Sequence, residues 1–140
     1  MNVEDEIAAY IGSQPQAKRH DLQTLHLLIR SLMPEGRLWF LDGRNEEGKT
    51  VSNPNIGYGE CLMTYANGST RPFYRIGLSA NTVGIFVYVM GLKDKNYLKA
   101  TYASTLGKAT VTGYCIKFKK VSDLDLEVLK AVVQEGFNNL

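Results

Sequence analysis

The sequence predicts an α+β two-layer sandwich, a mostly antiparallel sheet with the N-terminal and C-terminal helices packed on one face. Three observations lead there. Apolar residues recur at helical spacing up to Met33 and again after Ser122. Between Arg37 and Gly91 the texture changes to short β-rich runs punctuated by turn residues. The connections between those runs are short, which makes sequential strands antiparallel neighbours. A chain of 140 residues, 44% apolar and 21% charged, encloses one hydrophobic core, so a single domain spanning 1–140 is expected.

Each element has its own signal. Val3 to Ile11 reads as a helix with Ile7, Ala8 and Ile11 on one side, acids in its first turn, and Gly12, Ser13 and Pro15 as breakers. Gln16 to Met33 places Leu22, Leu25, Ile29 and Leu32 on one face, and Pro34 and Gly36 end it. The sheet opens with Arg37 to Leu41, followed by a polar loop from Asp42 to Asn55. Runs from Tyr58 to Tyr65 and from Phe73 to Ser79 flank a reversal at Asn67-Gly68, and Gly84 to Met90 continues the meander. Tyr97 to Leu106 reads as a short helix stopped by Gly107. Tyr114 to Lys119 alternates as a half-buried strand, and a last helix is expected from Ser122, where Ser122 and Asp125 have capping-box spacing, to Phe137.

Composition removes several function classes. The net charge is +2, with basic residues scattered along the chain, so no nucleic-acid partner is expected; Lys117-Phe118-Lys119-Lys120 reads as a strand end with solvated lysines. No run is long and apolar enough to span a membrane, and Met1 to Tyr10 has no secretory signal pattern. The two cysteines, Cys61 and Cys115, have no metal-ligand spacing and sit in apolar runs, so they are expected as buried free thiols in a reducing cytoplasm. His20 and His26 lie six residues apart on one helix, on different faces, with His26 at the edge of the apolar side as a half-buried core histidine. Gly57-Tyr58-Gly59 lacks a third glycine and a following helix, so it reads as a strand start or bulge and not as a dinucleotide fingerprint. No catalytic signature is present.

The chain resembles a family of small bacterial proteins grouped as a domain of unknown function and often called YdhG-like. The resemblance rests on Tyr10-Ile11 through Pro15, Leu32-Met33-Pro34-Glu35, Gly57-Tyr58-Gly59, and the tail from Leu106-Gly107-Lys108 through Gly113-Tyr114-Cys115-Ile116-Lys117-Phe118-Lys119-Lys120 to Asp123-Leu124-Asp125. These stretches reach across nearly the whole chain. Leu78 and Asn81 depart from the pattern, in which a phenylalanine and a basic residue are common. The resemblance implies a frataxin-like sandwich and, for iron handling, acids on the first helix; here those are Glu4, Asp5 and Glu6.

Tyrosine is the most suggestive residue type, because it joins an apolar body to a polar tip and suits a ligand pocket as well as a core rim. Of eight tyrosines, Tyr65, Tyr74, Tyr88 and Tyr114 fall in expected strands and Tyr58 stands between two glycines. Tyr65, Arg75, Tyr88 and Lys117 are expected to share an incompletely covered sheet face, with Tyr58 and the Lys108 loop as further ligand-binding candidates. The expected role is a module binding a small molecule or a protein. The alternatives are a frataxin-like iron carrier, with iron on Glu4, Asp5 and Glu6, and an enzyme whose site is assembled from dispersed polar residues.

Overall fold

The computed structural model describes residues 2–90, 92 and 94–138; Met1, Gly91, Lys93, Asn139 and Leu140 lie outside them. Helix α1 (Val3–Gly12) begins where Asn2 Oδ1 accepts the Asp5 N–H at 2.8 Å, with Glu4, Asp5 and Glu6 in the turn whose free N–H groups favour negative charge. It buries Ile7, Tyr10 and Ile11. Helix α2 (Gln16–Leu32) buries Leu22, Leu25 and Ile29, as its spacing requires. Arg30 then donates to the carbonyls of Met33 and Gly36 at 3.3 and 2.6 Å, tying down the chain that leaves the helix.

Among the described residues there are eight strands, three more than the five runs expected from the sequence. The main sheet takes β1 (Leu38–Leu41), β2 (Asn55–Tyr58), β5 (Ile76–Ala80), β6 (Ile85–Val89), β8 (Cys115–Phe118) and β7 (Thr110–Thr112), in the spatial order β1-β2-β5-β6-β8-β7, with every pair antiparallel. The expected runs from Tyr58 to Tyr65 and from Phe73 to Ser79 meet in register only near their ends, Tyr58 with Ile76 and Cys61 with Phe73. Strands β3 (Cys61–Thr64) and β4 (Thr70–Phe73) instead form a separate two-stranded hairpin, and β2 apart from Tyr58 and β4 apart from Phe73 lie outside the expected runs. The break between β2 and β3 falls at Gly59, whose φ of +76° ends β2, and Arg75 clamps it by donating from Nε to the Glu60 carbonyl at 2.8 Å. Strand β7 was not expected from the sequence: three residues between Ala109 and Gly113 are too short for alternation to register.

Helix α3 (Tyr97–Tyr102) stops four residues before Leu106, although Leu106 N–H still reaches the Tyr102 carbonyl at 3.0 Å. Helix α4 (Leu126–Asn138) corrects the expected start at Ser122. A 3-10 turn occupies Val121–Asp123, and Leu124 is extended because it bridges Gly107 across the fold. The helix can begin only after that bridge, and Asp125 caps it by accepting from Glu127 and Val128 N–H at 3.0 and 3.3 Å.

Register then separates the two faces. Phe40, Ile56, Leu78, Val87, Ile116 and Val111 are successive cross-strand partners, a row running through all six strands of the main sheet. This row meets Leu22, Leu25, Ile29, Leu129 and Val133 of the helices in one contiguous core. Among the described residues no helix is long and apolar enough to cross a membrane.

Candidate functional site

One residue along each strand, the pleat turns the opposite way and produces a second row: Trp39, Gly57, Gly77, Tyr88, Cys115 and Thr112. A third, parallel to it, runs through Ser79, Phe86, Lys117 and Thr110. These side chains face away from the helix layer. The contrast is plain on β6, where Ile85, Val87 and Val89 are buried while Phe86 and Tyr88 between them are only half-buried, and on β8, where Cys115 and Lys117 alternate with buried Ile116 and Phe118.

The two central glycines of the second row are filled from above. The Tyr74 ring lies on both: a Cβ on Gly57 or on Gly77 would stand 2.6 Å from ring carbons of Tyr74. Neither glycine has a left-handed backbone, so the small residue is required by the ring and not by the turn of the chain. Phe73 stacks on Tyr74 with ring centres 4.1 Å apart, Trp39 meets Phe73 edge-on at 6.2 Å, and the Arg37 guanidinium lies 3.6 Å over the Trp39 ring. On the other flank Phe86 and Tyr88 lie parallel, 6.3 Å apart, with Lys117 Nζ 5.9 Å from the Phe86 ring. The result is a belt of five aromatic rings on the side opposite the helices, with Tyr74 buried within it and Trp39, Phe73, Phe86 and Tyr88 half-buried.

The polar groups in this belt are neutral donors. Burial raises the Tyr74 hydroxyl far above the usual phenol range, with Tyr88 and Cys115 adding to it. Burial also raises Tyr88, reinforced by Cys115, and pushes the Cys115 thiol up against the opposing pull of Lys117. A thiol held protonated is a poor nucleophile, so Cys115 offers this face an S–H and not a thiolate. Cys61, half-buried on the hairpin with its thiol 3.6 Å from the Tyr74 carbonyl, is raised by burial in the same way. Both thiols are free, but they are half-buried on the outer side and not, as expected, buried.

The residues singled out in the sequence are distributed over several places. Tyr88 and Lys117 share the outer face. Tyr65, 43% exposed, sits at the far end of the hairpin with Arg71 5.8 Å from its ring. Arg75 is engaged in holding the fold, its Nη1 donating to the Phe137 carbonyl at 2.7 Å at the C-terminal end of α4. Tyr58 points inward, 2% exposed, with its hydroxyl 2.7 Å from His26 Nδ1 in a hydrogen bond. Lys108 lies with Lys117 in a groove at the β7–β8 end of the sheet. Glu4 and Asp5 are exposed on the first turn of α1, and among the described residues no group of three His, Cys, Asp or Glu side chains converges as a metal site would require. Sequence reading missed Trp39, Phe73, Tyr74 and Phe86 as members of the face. The signal for Phe86 was present in the strict alternation of Ile85 to Val89, which puts it beside Tyr88.

Compared with protein-family models, with curated proteins and with solved structures, the chain matches none.

Proposed function

We propose that the protein is a binding module whose aromatic outer sheet face receives a small, flat molecule. The observation that supports this most strongly is the belt from Trp39 to Phe86 on the side opposite the helices. Two-layer sandwiches bury one sheet face by necessity; an outer face in water ordinarily carries polar side chains at alternate positions. Here Trp39, Phe86 and Tyr88 put rings at three of those positions, beside Ser79, Thr110, Thr112, Cys115 and Lys117, and Gly57 and Gly77 leave room for the Tyr74 ring to lie over them. Flat hydrophobic surface fringed by Arg37, Lys117 and protonated hydroxyl and thiol donors suits stacking with a few orienting polar contacts.

Membership of the YdhG-like family, in a cytoplasmic setting, belongs to the same proposal. Its support is that the tail motifs form one structural unit. Gly107, at φ +103°, leaves no room for a Cβ against the Asp123 carbonyl, Lys108 N–H donates to that carbonyl at 2.9 Å, and Asp125 N–H donates to Leu106. The iron reading finds no comparable support, since Glu4, Asp5 and Glu6 are successive residues about 100° apart around a helix and, among the described residues, gather no further ligand.

Amide chemical-shift mapping with anilinonaphthalene sulfonate, an aromatic anion with a flat naphthalene ring, tests the binding-face reading. Shifts concentrated at residues 39, 73–74, 86–88 and 115–117, lost in Tyr88→Ser, are expected. Shifts concentrated on α1 and α2, with the sheet face silent, would refute it.

A further inference from the structure

The aromatic face runs at one end into a groove of about 610 Å³ between the Lys108 loop and the end of β8. Lys108, Lys117, Lys119 and Lys120 line it, with Thr110 and a single acid, Asp123. The charge around this groove is therefore +4 against −1. Among the described residues the one ion pair is Arg37–Glu60, at the opposite flank of the sheet, so none of the four ammonium groups is neutralised by a carboxylate. Like charges brought to one concavity repel, and a bound anion relieves that repulsion.

The walls of the groove are held in place by backbone. The Gly107–Leu124 bridge and the Lys108 N–H to Asp123 carbonyl bond fix the Lys108 loop against the start of α4, while Thr110 is the cross-strand partner of Lys117. Lys117 belongs to both regions: it lines the groove, and its Nζ stands 5.9 Å from the Phe86 ring. An anion held by the lysines thus lies beside the parallel Phe86 and Tyr88 rings.

We propose that groove and face together bind a phosphate ester carried on a flat heteroaromatic ring, a molecule of the mononucleotide class, with the phosphate among the lysines and the ring on Phe86 and Tyr88. This rests on the reading of the outer face as a binding surface. A phosphate monoester brings nearly two negative charges and three acceptor oxygens, which matches an excess of three cations and the Thr110 hydroxyl better than a single carboxylate does. A nucleic-acid strand would need cations tracking successive phosphates along the belt. The lysines instead gather at one end, with Arg71 over the Phe73 ring and the Glu60-paired Arg37 toward the other.

The test is an amide-shift titration of the full chain with adenosine monophosphate, adenosine and inorganic phosphate, repeated on Lys108→Gln/Lys117→Gln. The monophosphate is expected to shift residues 86–88 and 108–120 together and to bind roughly tenfold or more tighter than either fragment, since each part adds on the order of 1.4 kcal/mol. The double variant should weaken the monophosphate at least tenfold and leave adenosine unchanged. Raised salt should weaken the monophosphate and spare adenosine. Adenosine and the monophosphate binding the face equally, with no effect of the variant, would overturn this inference while leaving the binding face standing. No shift at residues 86–88 with either would overturn both.

Discussion

Replacing Gly77 by alanine isolates the contact on which the outer face is built. The new Cβ would stand 2.6 to 2.8 Å from Cε1, Cζ and Oη of Tyr74, closer than carbon atoms approach without displacement. Overpacking of this kind costs up to about 3 kcal/mol. Because Gly77 has an ordinary backbone conformation, alanine there also removes unfolded-state freedom, which returns roughly 0.5 kcal/mol. The net expectation for Gly77→Ala is a loss of about 2.5 kcal/mol. Tyr74→Ala removes a ring that is 5% exposed and stacked on Phe73, at a cost of about 3 kcal/mol. In the double variant the clash has gone, so adding Gly77→Ala to Tyr74→Ala should stabilise by about 0.5 kcal/mol. The sign of the alanine effect thus reverses with the ring, a coupling of about 3 kcal/mol. Urea unfolding of the four proteins, compared at constant slope, measures it. Effects that add to within about 0.5 kcal/mol would show that the ring does not rest on Gly77.

Three further outcomes follow from the same structure. Burial, assisted by Arg30 and opposed by Glu4, lowers the His26 pKa below its usual 6.5, so the folded protein binds this proton less readily than the unfolded chain. Stability from this source is complete above pH 6.5 and falls as pH drops below it; His26→Gln should flatten that part of the urea-midpoint profile, and identical profiles would contradict it. The Tyr97 and Tyr102 hydroxyls both donate to Glu135, one to each carboxylate oxygen. Glu135→Ala leaves two half-buried phenols unpartnered at about 1–3 kcal/mol, and should speed amide exchange across residues 97–106 at least tenfold while β5 and β6 are unaffected. The raised thiols should react with a disulfide reagent more slowly at neutral pH than a free peptide cysteine, with Lys117→Gln slowing Cys115 further; rates equal to those of the urea-unfolded chain would refute this.

The helices and the order of strands were legible because their signals are local. Leu22, Leu25 and Ile29 share a face by spacing alone, and Asn67-Gly68 marks its turn with Gly68 at φ +84°. The last helix was misplaced at its start because Ser122 and Asp125 satisfy the spacing of a capping box. What moves the start is a bridge from Leu124 to Gly107, a contact across the fold that no local pattern encodes. The site was legible by halves. Tyr88 and Lys117 follow from alternation within β6 and β8. Trp39, Phe73 and Tyr74 join them only through cross-strand register and through the break at Gly59, which lets the hairpin diverge and leaves Tyr74 over Gly57 and Gly77. Tyr58 shows the converse: its place between two glycines suggested a ligand, but the pleat that turns Gly57 outward turns Tyr58 inward to His26.

Native mass spectrometry of the protein purified from its own cells, beside Phe86→Ser/Tyr88→Ser, tests the binding face most directly. The two substitutions lie on half-buried outer positions, and an unchanged amide spectrum elsewhere verifies that the variant folds. The account predicts that the wild-type protein carries a small ultraviolet-absorbing compound in stoichiometric amount and that the variant is bare. A compound retained equally by both proteins, or a wild-type protein that carries none, would contradict it.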